Sequence, residues 1–65
     1  MKEIQEKLIT LMKEIKMNEG TIEGAKHLLK TEEQVKTTID YINRYKNIIT
    51  NHQLRQFLVE ITQTN

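Results

Sequence analysis

Apolar side chains recur along this chain at steps of three and four, without strand-like alternation, the pattern of amphipathic helices. The strongest instance begins at Thr31. Thr-Glu-Glu-Gln at 31–34 reads as a capping box, with Thr31 the N-cap and Gln34 its reciprocal partner. Glu32 and Glu33 then place negative charge in the first turn, where the helix dipole favours it. Val35, Ile39, Ile42 and Ile49 form one apolar stripe, and Tyr41, Tyr45 and Ile48 form a second beside it. At about 100° per residue the two stripes cover about half the helix circumference. A surface helix needs less. The pattern predicts a long central helix over about 32–50, contacted from two sides.

The flanking segments are shorter and also helical. Over residues 1–18, Met1, Ile4, Leu8, Leu11 and Ile15 alternate steps of three and four, and Met12 widens their stripe. Ile4, Leu8, Leu11 and Ile15 are thus a candidate seam for pairing two chains in the manner of a coiled coil. Two heptads are fewer than such a seam usually needs, so packing against the chain's own helices is the favoured assignment. Asn18-Glu19-Gly20 is expected to end this helix, with Gly20 in the left-handed C′ position. Thr21 is expected to cap a second, short helix carrying Ile22, Ala25, Leu28 and Leu29. Gly24 inside it costs about 1 kcal/mol relative to alanine, and the first two segments can also be read as one bent helix. Thr50 with Gln53 forms a second capping box before Leu54, Phe57, Leu58 and Ile61, a clean amphipathic stripe. Residues 62–65 are polar and expected to fray. The fold class expected is a single all-α domain over 1–65, a bundle of three or four helices.

Composition narrows what such a bundle can do. A chain of 65 residues buries only about 60% of its unfolded surface, so it gains much from a partner chain. Cysteine is absent and histidine occurs only at 27 and 52, which removes disulfides and gives no tetrahedral zinc set. Ten basic and nine acidic residues leave a formal charge of +1, so no strong field draws the chain to nucleic acid or lipid. No apolar run approaches the roughly 18 residues of a membrane span, and Met-Lys-Glu is unlike a secretory start. A cytoplasmic location, without membrane attachment, is expected.

Little in the sequence carries catalytic chemistry. Gly20 and Gly24 fit neither a phosphate-cradling loop nor a dinucleotide pattern. Glu23 and His27 are spaced to share a helix face, but no third ligand or base has matching spacing, and a solvated pair explains them. The expectation is a protein that is not an enzyme, with no cofactor, no metal and no small-molecule substrate.

One stretch resembles a known motif. Residues 21–40 are similar to the DNA-binding helix-turn-helix: Ala25 stands where a small residue is wanted, Leu28 and Val35 where apolar packing is, and Thr31 at the second cap. The resemblance implies a DNA-binding regulator using residues 21–47, with Lys36 and Arg44 on phosphates. Three positions depart from it. Leu29 replaces the turn glycine, Lys30 replaces the apolar residue before the cap, and Glu32-Glu33 would meet the polyanion. DNA binding is therefore the second reading.

The first reading rests on Tyr41, Tyr45 and Ile48. Tyrosine joins a large apolar area to a polar tip that tolerates water, a combination enriched at binding surfaces. The competing assignment is that another helix of the same chain covers these residues. As a binding surface they point to a protein-interaction module, a small regulator, inhibitor or adaptor acting on a larger protein. Self-association as a homodimer is expected alongside.

Overall fold

The helical periodicity is realised as four helices in the computed structural model, which describes residues 1–63. They are α1 (Lys2–Glu14), α2 (Glu19–Leu28), α3 (Glu32–Tyr45) and α4 (Asn51–Gln63), and the described residues contain no strand. The bundle closes as a ring in which α1 packs on α3, α3 on α4, α4 on α2 and α2 on α1. Directions follow from which residues meet. The start of α2 is hydrogen-bonded to the start of α4, Asn18 to Asn51, so these two helices run side by side in parallel. Tyr41 stacks on Phe57 while Thr37 shares a groove with Ile61, so α3 and α4 run antiparallel.

The core follows most of the stripes, but Leu28 and Met1 are exposed at 37% and 46%, and Met17, which lies on no stripe, is buried. Leu8, Met12, Ile22, Ala25, Leu29, Val35, Ile42, Leu54 and Leu58 are buried together, and all four helices contribute. Each large side chain so buried is worth about 1.5–3 kcal/mol. No buried side-chain nitrogen or oxygen among the described residues lacks a hydrogen-bond partner. Gln34 and Thr38 show how: Gln34 Oε1 accepts from the N–H groups of Lys30 (2.7 Å) and Thr31 (3.2 Å), and the Thr38 hydroxyl donates to the Gln34 carbonyl (2.8 Å).

The boundaries depart from expectation in three places. The first helix ends at Glu14 and not near 18. Lys16, with φ 64°, takes the left-handed position assigned to Gly20. Its N–H bonds the carbonyl of Lys13 while the N–H of Met17 reaches back to Met12, a Schellman close. Burying Met17 against the core with Met12 explains why the chain accepts a lysine there. Gly20 instead lies inside α2. The cap of α2 is Asn18, whose side chain accepts from the Thr21 N–H; Thr21 is the third residue of the helix and supplies the donor that the cap satisfies. The first two helices are separate, not one bent rod.

The third departure concerns the central helix. It ends at Tyr45, and at 14 residues it is hardly longer than α1 or α4, with 13 each. The N–H groups of Ile48 and Ile49 both turn onto the Tyr45 carbonyl, and the chain reverses so that α4 can pack back on α3. Both capping boxes form as read, Thr31 with Gln34 and Thr50 with Gln53. Thr62 and Gln63, expected to fray, belong to α4; residues 64 and 65 lie outside the described residues.

Candidate interaction face

The face between α3 and α4 is built by steps of four. Thr37, Tyr41 and Tyr45 follow one another along α3, and Gln53, Phe57 and Ile61 along α4, so each set forms a row on its helix. The antiparallel pairing brings Tyr41 against Phe57 with ring centroids 3.9 Å apart and planes within 5° of parallel. Tyr45 leans on Tyr41 at 5.1 Å and 56°. These rings are on the surface side of the helix pair: Tyr41 and Phe57 are half-buried and Tyr45 is 39% exposed. Ile48, in the turn after α3, is 73% exposed. The face thus has a protruding end at Tyr45 and Ile48. At its other end lies a groove of about 490 Å³, with Leu28, Thr37, Ile61 and Thr62 in its walls.

The three residues singled out from the sequence are therefore not equivalent. Tyr41 is part of the packing between α3 and α4, whereas Tyr45 and Ile48 project. Phe57 joins them, and sequence reasoning had placed it in the core stripe of α4. The signal available was its position off the Leu54–Leu58 line: of that stripe only Leu54 and Leu58 are buried.

The candidate pairing seam of α1 lies elsewhere. Leu8 is buried, and Ile4, Leu11 and Ile15 are half-buried against the same core. A groove of about 550 Å³ runs between α1 and α2, with Leu8, Ile9, Ala25, Leu29 and Val35 as an apolar floor and Lys2 and Lys26 on the rim.

The residues of the helix-turn-helix reading are also placed. α2 and α3 do not pack on one another directly, since they lie across the diagonal of the ring. Lys36 is 3.4 Å from Glu32 across one turn. Arg44, eight residues on, is about 80° around the helix and about 12 Å along it. The two cations are both exposed, at the same eight-residue separation along α3 as Thr37 and Tyr45.

A second polar feature binds α2 to α4. Asn18 donates its backbone N–H to Asn51 Oδ1 (2.9 Å), and its own Oδ1 accepts from the Thr21 N–H and hydroxyl, both at 2.8 Å. Arg55 Nε donates to Thr21 Oγ1 (3.0 Å), and its Nη2 lies 3.4 Å from Asn18 Oδ1. Gly20 makes room for that guanidinium, for a Cβ there would sit 2.5 Å from Nη2. No group of three or more His, Cys, Asp or Glu side chains among the described residues converges as a metal site would require. No described helix is long and apolar enough to cross a membrane.

No family model, no curated protein and no solved structure matches the chain.

Proposed function

We propose that this chain is a non-enzymatic protein-interaction module, a small regulator, inhibitor or adaptor that occupies a surface of a larger protein through its α3–α4 face. One observation carries the reading. Tyr45 and Ile48 remain 39% and 73% exposed beside a half-buried Tyr41–Phe57 stack. Apolar side chains kept in water at a helix end gain nothing for the fold, but they supply the kind of anchor that dominates protein–protein affinity. Charged residues around them, Arg44 and Lys46 at one end and Glu33 and Glu60 toward the other, would set orientation and on-rate.

The test is the double variant Tyr45→Ala/Ile48→Asp. Partners captured by the wild type from its source cell are compared quantitatively with those captured by the variant. A protein held by the first and lost by the second, and confirmed by titration with the purified pair, supports the reading. Circular dichroism must show unchanged helix content. Equal capture by both chains moves the binding surface elsewhere.

A further inference from the structure

The occupant of this face can be named from its charge pattern. On the reading of the α3–α4 face as an interaction surface, its occupant is either a larger protein or a second copy of this chain. Arg44 follows Tyr41 by three residues on α3, and Glu60 follows Phe57 by three on α4. Each is therefore about 4.5 Å along its helix from the ring stack. Because α3 and α4 run in opposite directions, the two charges stand at opposite corners of the face. Both are exposed, and the ion pairs among the described residues, Lys26–Glu23 and Lys36–Glu32, involve neither.

We infer that a second copy of this chain docks on the face, related by a two-fold axis through the Tyr41–Phe57 stack. An axis lying in the face, perpendicular to the Arg44–Glu60 diagonal, carries each corner onto the other. Arg44 of one copy then meets Glu60 of its partner, and the reverse contact forms at the same time. Such an isologous arrangement is what a two-fold interface demands. The relief agrees with the charges. The protruding end, Tyr45 and Ile48, is set by the same operation against the groove of about 490 Å³ walled by Leu28 and Ile61. Lys46, beside the projecting residues, is carried toward Glu33 and Glu60, at the end where Lys30 also lines the groove. A standard interface takes about 800 Å² from each partner, about a sixth of the 4619 Å² accessible surface of this chain. A face spanning two helices can supply it.

The arrangement has a consequence that a one-sided contact lacks. Arg44→Glu leaves two acidic corners and Glu60→Arg leaves two basic ones, so each variant repels its own copy at two points. Mixed together they are complementary at both. Light scattering and sedimentation on the purified chains, at low and high salt, read the result without any other protein. The wild type is expected at twice the chain mass, and each single variant is expected to dimerise at least about tenfold more weakly. An equimolar mixture, and the double variant Arg44→Glu/Glu60→Arg, are expected to return to the dimer. A wild type that stays monomeric overturns the inference. So do single variants that dimerise as the wild type does, or a mixture that stays monomeric while circular dichroism shows both chains folded. Loss of a captured partner in Tyr45→Ala/Ile48→Asp with a monomeric wild type would sink the dimer and leave the interaction reading standing.

Discussion

α4 has two seams, and they are built on opposite principles. Toward α2 it offers Asn51 and Arg55, which hydrogen-bond to Asn18 and Thr21, and Thr21 has no exposed surface. Toward α3 it offers Phe57 and Ile61, which meet Tyr41 and its neighbours through rings and aliphatic groups while part of each stays in water. Hydrogen bonds are directional, so the first seam fixes the register of α2 against α4. Apolar contact is non-directional and roughly proportional to area, so the second can be extended by any surface of matching shape. The polar seam holds the bundle together; the aromatic seam is where the bundle stops short of covering itself.

The largest effect should come from beneath both seams, where they cannot be told apart. Leu54 is fully buried at the junction of α4 with the core. Leu54→Ala should cost about 2–5 kcal/mol, read as a fall in the urea midpoint, and in so small a domain that is enough to unfold much of it. A loss below about 1 kcal/mol would mean the core is not centred on α4.

Asn18→Ala attacks the polar seam alone. It removes the α2 cap and the acceptor of both Thr21 donors, and a lost cap costs about 1 kcal/mol with more for a buried donor left unpaired. A destabilisation of about 2 kcal/mol by urea unfolding is expected, with dimer formation by the folded fraction unchanged. If self-association fell as sharply as stability, the two seams would not be independent.

Gly24→Ala probes α2 with the opposite sign. The residue sits mid-helix with an ordinary backbone, and a Cβ there meets nothing within 4 Å. Alanine should therefore stabilise by about 1 kcal/mol. A thermal melt that moves downward would reveal a close neighbour on that flank of α2.

These contrasts also show which parts of the molecule the sequence could reveal. The helices, both capping boxes and most of the buried stripe follow from spacing alone, because amphipathic periodicity and side-chain caps are local. The end of α1 was not legible. Gly20 is the expected left-handed residue by intrinsic preference, yet Lys16 holds that conformation because burying Met17 depends on it. Tertiary packing overrode a local rule. The length of α3 failed for a related reason: Ile48 and Ile49 continue its apolar rhythm, but the chain must reverse to lay α4 on α3. Of the candidate face, Tyr41, Tyr45 and Ile48 were visible as a second stripe. Phe57 was not, because only the antiparallel pairing of two helices shows that it faces Tyr41. The polar seam was invisible as well, since Asn18 and Thr21 lie 33 and 34 positions from Asn51 and Arg55.

Ile48→Asp should have the smallest effect on stability and the most telling one on behaviour. Ile48 lies in the turn after α3, is 73% exposed, and contributes to the fold through its backbone N–H on the Tyr45 carbonyl. An aspartate keeps that bond, and aspartate is at ease in turns. The unfolding free energy from urea titration should stay within about 0.5 kcal/mol of the wild type, as for other exposed positions. The same substitution puts a carboxylate where the two-fold arrangement sets an isoleucine against Leu28 and Ile61, close to Glu60 of the partner. Burying an unpaired charge there is costly, so the sedimentation profile should shift to the monomer while the circular dichroism does not change. Were the unfolding free energy to fall by about 2 kcal/mol or more, Ile48 would be holding the α3–α4 turn in place. The aromatic seam would then be a second structural seam, and the contrast between the two sides of α4 would disappear.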